Sequence, residues 1–100
     1  MPARIISFNV NGLRSRLHQL QAVIDQHSPD IIGLQETKVS DEEFPTDAIS
    51  AMGYQVAYHG QKGHYGVALL SKVDPVSVTR GYASDDEDSQ RRMIHGQYSI

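Results

Sequence analysis

The chain has 100 residues, 39% of them hydrophobic and 21% charged, with a formal net charge of −3. That is globular composition, which excludes a disordered chain, and the acidic balance over the whole chain is not that of a nucleic-acid binder. Cysteine is absent, which excludes disulfides and thiolate zinc sites and fits a reducing cytosolic setting.

No apolar run is long enough to span a bilayer, so no transmembrane helix is expected. Met1 leads into Arg4-Ile5-Ile6 without a basic and then a long apolar region, so no secretory signal is expected either. Charge is unevenly spread: residues 1–40 carry +1, 41–60 carry −4, 61–82 carry +2 and 83–100 carry −2. A local basic surface from Arg14, Arg16, Lys38, Lys62, Arg91 and Arg92 is therefore compatible with the acidic total. A chain of this length can form one small domain that buries roughly two thirds of its unfolded surface.

In chain order, Arg4 to Asn9 is a short apolar run that closes on polar residues and Gly12, and it predicts a buried strand. Leu13, Leu17, Leu20, Ile24 and His27 recur at steps of four, three, four and three, which is one face of a helix widened by Val23. Ser28-Pro29 ends it, because the residue before proline disfavours helical geometry. Ile31-Ile32-Gly33-Leu34 predicts a second strand, parallel to the first across a strand–helix–strand crossover. Asp41-Glu42-Glu43 reads as a solvated acidic loop. Thr46 is placed to cap a short helix running to Met52 and closed by Gly53.

Tyr54 to Tyr58 alternates as a strand, residues 59–64 form a glycine-punctuated turn, and Val67 to Leu70 is a buried strand, the two making a hairpin. Val76 to Thr79 alternates, 85–88 is a solvated acidic loop, and Met93 to Ile100 alternates again. The result is about six strands and two helices, and a mixed α/β sandwich is the natural way to cover such a sheet. The last alternating run stops without a turn or polar tail, so the chain is expected to be a fragment.

Chemistry is suggested where the first two strands end. Asn9-Val10-Asn11-Gly12 closes one and Gln35-Glu36-Thr37-Lys38 the other, and in a parallel pair both lie at the carboxyl edge, where ligands bind. An amide pair and a carboxylate can converge there, with Lys38 and Arg14 nearby. A hard divalent cation on one or two carboxylates beside Lys and Arg suits phosphate-ester chemistry. Taken locally, a Glu after a strand is more often an N-cap, a surface group or an ion-pair partner, and Asn9 and Asn11 are ordinary turn formers beside Gly12. Lys62-Gly63 can offer a backbone N–H to phosphate, and His64 and Tyr65 can be groove contacts, but plain hairpin roles serve as well. There is no phosphate-binding loop of the G-x-x-x-x-G-K type, no His-x-x-x-His pair and no serine elbow.

Taken together, Ser7-Phe8-Asn9-Val10-Asn11-Gly12-Leu13-Arg14 and Leu34-Gln35-Glu36-Thr37-Lys38 resemble the opening of the exonuclease III family, of the endonuclease/exonuclease/phosphatase superfamily. The block from Tyr58 to Lys72 and the acidic loop running into Gln90-Arg91-Arg92 are similar to the next two blocks of its bacterial branch. The resemblance implies a DNase I-like four-layered α/β sandwich of which residues 1–100 are the N-terminal part of a single domain. It implies a DNA-repair nuclease acting on double-stranded DNA, with 3′–5′ exonuclease and abasic-site endonuclease activity, using Mg2+ or Mn2+. Carried over by position, Glu36 and Asn9 are the catalytic and metal-holding residues, with Asn11 beside the metal. Arg14, Lys38, Gly63, His64 and Tyr65 are DNA-binding residues by the same resemblance, with Arg91 or Arg92 the DNA-facing arginine.

The resemblance further implies a cytoplasmic enzyme, associated with the nucleoid during repair and monomeric when full length, that acts at abasic sites and 3′ ends and not at membranes. The family's later motifs, a tyrosine, an Asp-x-Asn pair and further Asp and Asp-His elements, are not among these 100 residues. The chain alone is therefore expected to be inert or unstable, with an apolar sheet face uncovered. A superfamily phosphatase acting on small phosphate esters, or a non-enzymatic fragment, are the alternatives.

Overall fold

A computed structural model describes residues 3–81 and 91–99. Six strands and two α-helices are present among them: β1 (Ile5–Asn9), α1 (Leu17–His27), β2 (Ile31–Gln35), α2 (Thr46–Ala51), β3 (Gln55–His59), β4 (Val67–Ser71), β5 (Ser77–Arg80) and β6 (Ile94–Gln97). Two single 3-10 turns, Arg14–Arg16 and Asp41–Glu43, precede the helices. The expected loop at 85–88 and Gln90 lie outside the described residues.

Four strands form one sheet in the order β1-β2-β4-β3. β1 and β2 are parallel, in register from Ile5 opposite Ile31 to Asn9 opposite Gln35. α1 is the crossover that a parallel pair requires. β3 and β4 form the expected antiparallel hairpin, and β4 also pairs antiparallel with β2.

Period-two alternation sorts the sheet into two faces. One carries Ile6, Phe8, Ile32, Leu34, Val56, Tyr58, Ala68 and Leu70. It packs under Leu20 and Ile24 of α1 and Ile49 of α2, with Val10, Leu13, Val39, Phe44 and Tyr54 completing the core. Phe44 and Tyr58 stack with ring centroids 4.1 Å apart, a contact that aligns the 3-10 turn with β3.

The opposite face is only partly covered. β5 and β6 form a separate antiparallel pair, and β6 approaches β4 so closely that a Cβ on Gly96 would stand 2.8 Å from the Leu69 side chain. Toward β1 this face is open and more polar than expected. Ile5 is 66% exposed, but beside it Gln35 Nε2 donates to Ser7 Oγ at 3.1 Å. The polar pair interrupts what the sequence reading took for a continuous apolar face.

α1 ends at Ser28-Pro29 as expected, and two other local readings are corrected. Ser28 does leave the right-handed region ahead of Pro29, but into the left-handed one (φ 45°, ψ 54°), with its N–H donating to the Ile24 carbonyl at 2.8 Å. Thr46 is the first helical residue and caps nothing. Pro45, its ring holding φ at −79°, occupies the cap position and its carbonyl accepts the Ile49 N–H. The acid run at 41–43 is not simply solvated: Asp41 accepts the Gly60 N–H and Glu43 meets Arg14.

The buried Tyr54 hydroxyl donates to the Pro29 carbonyl at 2.5 Å. This bond ties the start of β3 to the loop between α1 and β2, and desolvation in this buried position, with Asp30 nearby, raises the phenol's pKa. Tyr54→Phe leaves a buried carbonyl unpartnered. It is expected to destabilise the fold by about 1–2 kcal/mol, read as a lower urea midpoint at unchanged slope.

Candidate active site

The parallel ladder does not stop with the strands. Val10 N–H donates to the Gln35 carbonyl at 3.0 Å, Gly12 to Glu36 at 2.8 Å and Leu13 to Thr37 at 2.9 Å. On the other side Thr37 N–H donates to Gly66 at 3.1 Å and Lys38 N–H to Tyr65 at 2.9 Å, while the Lys38 carbonyl accepts the Gly63 N–H at 3.3 Å. Residues 36–38 are thus a strap held from both flanks.

Within it Glu36 and Lys38 have left-handed backbones, φ 55° and 56°, as do Asn11 (49°) and Tyr65 (54°). Non-glycine residues reach that region at a cost and cluster where neighbours over-determine them. Thr37 between them is fully buried and its hydroxyl has no hydrogen-bond partner. It lies against Gly66 (φ 85°), where any Cβ would collide with it, so glycine is required there.

The strap delivers the predicted residues to one another. Asn9 Nδ2 donates to Glu36 Oε2. The Asn9 side-chain oxygen accepts the Asn11 N–H at 3.1 Å. Lys38 Nζ donates to Asn11 Oδ1 at 2.6 Å and stands 3.6 Å from Glu36 Oε1. The Asn9 hydrogen bond, helped by the Lys38 charge and opposed by partial desolvation, holds the Glu36 carboxyl below the usual carboxylate range. The group is therefore an anion throughout the neutral range, with one oxygen fixed by an amide and the other turned toward an ammonium.

Glu36 and Lys38 open onto a groove of about 520 Å3 whose wall includes Gln35, His64, Tyr65, Arg91 and Arg92. The Arg92 guanidinium lies 5.5 Å over the Tyr65 ring. Across Lys38, a second hollow of about 400 Å3 is lined by Gly12, Leu13, Arg14 and Ser15. Arg14 is paired there with Glu43 at 2.7 Å.

Two expected cations are committed to the protein. Arg16 donates to the Asn11 carbonyl at 2.6 Å, and Arg91 donates to the Gly60 carbonyl at 2.8 Å and reaches Asp41 at 3.3 Å. The Gly63 N–H, expected to be available to phosphate, is spent on Lys38. Among the described residues no three His, Cys, Asp or Glu side chains gather around one point.

Sequence reasoning missed Gln35, Thr37, Asp41, Glu43 and Gly66. Asp41 meets Gly60 and Arg91 across 19 and 50 residues, so no local pattern records it. The glycine at 66 is the one missed position with a visible signal, as the second glycine of the Gly63-His64-Tyr65-Gly66 turn.

A model of the endonuclease/exonuclease/phosphatase family matches residues 6–98. The chain is 57% identical over 91 residues to the exodeoxyribonuclease III of Haemophilus influenzae, covering 91% of this chain and 34% of that protein. It superposes with TM-score 0.87 on a Neisseria 3′ phosphatase bound to a product DNA hairpin, at 38% identity over 95% of this chain and 37% of the other. It superposes equally, TM-score 0.87, on an AP endonuclease from Archaeoglobus fulgidus, at 39% identity over 95% of this chain and 37% of the other. The chain thus spans about a third of the length of the proteins it matches, and the mixed α/β fold expected from the resemblance is the fold of the matched part.

Because the folded Glu36 carboxyl has the lower pKa, the stabilisation it brings is present above the unfolded value and is lost as pH falls through the folded one. In an NMR titration its midpoint is expected below that of a glutamate in an unfolded peptide, and Asn9→Ala is expected to move it upward. A midpoint indifferent to Asn9 would separate the two residues.

Proposed function

Since the chain belongs to the endonuclease/exonuclease/phosphatase family, we propose that it is the N-terminal part of a DNA-repair nuclease domain. It would supply one edge of a phosphodiester-hydrolysing site and one wall of the groove that takes the DNA backbone. The observation that carries this reading is the convergence of an ionised carboxylate, two asparagines and a lysine where the parallel strands end, beside a groove lined by His64, Tyr65 and Arg92.

The residues fit a hard divalent cation, Mg2+ or Mn2+. Glu36 is an exposed carboxylate with its orientation set by Asn9, and the neighbouring donors are amide oxygens, which suits an ion that takes few carboxylates and keeps its waters. Glu36 and Asn9 are the residues that would hold it. When bound, such an ion supplies Lewis-acid stabilisation of charge on the phosphate and the leaving oxygen.

The chain's own residues do the rest. Asn9 fixes the carboxylate without adding a competing charge. Lys38 brings a positive charge to the phosphate side of Glu36. Arg14 on one side of Lys38 and His64, Tyr65 and Arg92 on the other line the path of the backbone, and such contacts are independent of sequence and weaken with salt.

The substrate on this reading is double-stranded DNA, attacked at abasic sites and 3′ ends, in a cytoplasmic protein that acts as a monomer. Its support is the similarity to exodeoxyribonuclease III and to the AP endonuclease fold. Among the described residues no helix is long and apolar enough to cross a membrane.

The test uses the whole protein that contains this chain, with an abasic duplex over a magnesium titration. Nicking that depends on the metal is expected, and Glu36→Ala is expected to lower turnover by about 10²-fold or more. Turnover of a small phosphate ester with no nicking would move the reading to a phosphatase. Unchanged magnesium dependence in Glu36→Ala would remove Glu36 from the metal.

A further inference from the structure

We infer that Arg91, held by Asp41, is a positioning residue whose contacts clamp the segment 60–66 so that it presents His64 and Tyr65 to the groove. The inference rests on the nuclease reading for its consequence but on geometry for its content. The Arg91 guanidinium donates to the Gly60 carbonyl at 2.8 Å and reaches Asp41 Oδ2 at 3.3 Å. Asp41 Oδ1 in turn accepts the Gly60 N–H at 2.7 Å. Both polar groups of Gly60 are therefore held by this one ion pair.

The Arg91 backbone continues the grip. Its N–H donates to Gln61 Oε1 at 2.8 Å, and its carbonyl accepts the Gly66 N–H at 2.8 Å. One residue thus fastens the segment at its beginning and at its end. The fit allows no slack, since a Cβ on Gly60 would run into the Val39 carbonyl and lie 2.9 Å from Asp41 Oδ1. What lies between the fastened ends is Tyr65, whose ring carries Arg92, and His64, both on the groove wall. Arg91 therefore acts on the DNA backbone through the segment, its Nη1 being engaged by both Gly60 and Asp41.

This role and a direct phosphate contact predict opposite signs. In the whole protein that contains this chain, Asp41→Ala is expected to raise the Kd for an abasic duplex about fivefold to tenfold, the net size of one ordinary hydrogen bond. It does so although it removes a negative charge from beside a polyanion. The slope of affinity against salt stays as it was. Asp41→Asn, which keeps an acceptor for the Gly60 N–H, recovers part of the loss.

Were Arg91 a phosphate contact, Asp41→Ala would leave binding unchanged or tighter and Arg91→Ala would lower the salt slope by about one contact. Either result overturns the inference. Amide hydrogen exchange supplies the arm that does not need DNA. In Asp41→Ala the N–H groups of Gly66 and Arg91, neither bonded to Asp41, are expected to lose protection while those of the β2–β4 ladder keep theirs. Unchanged protection at Gly66 and Arg91, or loss throughout the ladder, overturns the clamp. A protein that neither binds nor cuts duplex DNA refutes the nuclease reading and leaves the exchange result to decide the clamp alone.

Discussion

The site depends on the double-sided hydrogen bonding of residues 36–38. Four of the five backbone bonds that hold this strap are 3.1 Å or shorter, and they come from two different loops, 12–13 and 63–66. Neither loop has a ladder of its own. The strap bonds both loops, and Arg91 fastens the second of them besides. Glu36 reaches Asn9, and Lys38 reaches Asn11, as a consequence of where the backbone has been fixed. A carboxylate on a free loop would spend side-chain and backbone entropy to reach the same place.

The charges at this edge are arranged in exchangeable pairs. Lys38 sits by Glu36, Arg14 by Glu43, and Arg91 by Asp41. The Arg14–Glu43 pair is well exposed and the other two are partly buried; an exposed pair contributes little to stability, so an anion arriving there can compete for Arg14 at small cost. Arg91 differs because its guanidinium also bonds a backbone carbonyl and its own backbone is tied twice. A chain with a net charge of −3 thus still brings Lys38, Arg91 and Arg92 to one groove, with Glu36 among them. Total charge therefore carries less information about the partner than the pairing does.

Periodicity made the scaffold legible. The apolar runs of β1 and β2, the four-three spacing of α1 and the glycine-punctuated hairpin each record a local preference, and the structure agrees with them because burial rewards the same pattern. The convergence of Asn9 with Glu36 was legible for a related reason, since a parallel pair puts two strand ends at one edge. What escaped were contacts that no local pattern encodes. Asp41 looks like any acid in an acidic run, and its partners lie 19 and 50 residues away. Thr46 looks like a cap, and only the fixed ring of Pro45 moves the helix start past it. Ser7 and Gln35 look like edge polarity, yet they pair across two strands and change the character of an entire face.

The remaining discord between sequence and structure falls almost entirely at the site. Glu, Lys, Asn and Tyr have no intrinsic preference that would place all four with positive φ, and each such residue costs about 1–2 kcal/mol. Glycine at those positions would relieve the cost and remove the chemistry. Thr37, buried with an unpartnered hydroxyl against a glycine that tolerates no side chain, adds to the same account. Among the described residues, four of the five non-glycine positions with positive φ lie here, the fifth being Ser28 at the end of α1, whereas most of the fold satisfies propensity, pattern and packing together. A local rule is broken repeatedly in the few residues that bring Asn9, Glu36 and Lys38 together, and the bonds of the strap are what allow it to be broken. The strain therefore marks the site independently of the identity of its side chains, and it would do so in a chain whose motifs resembled nothing.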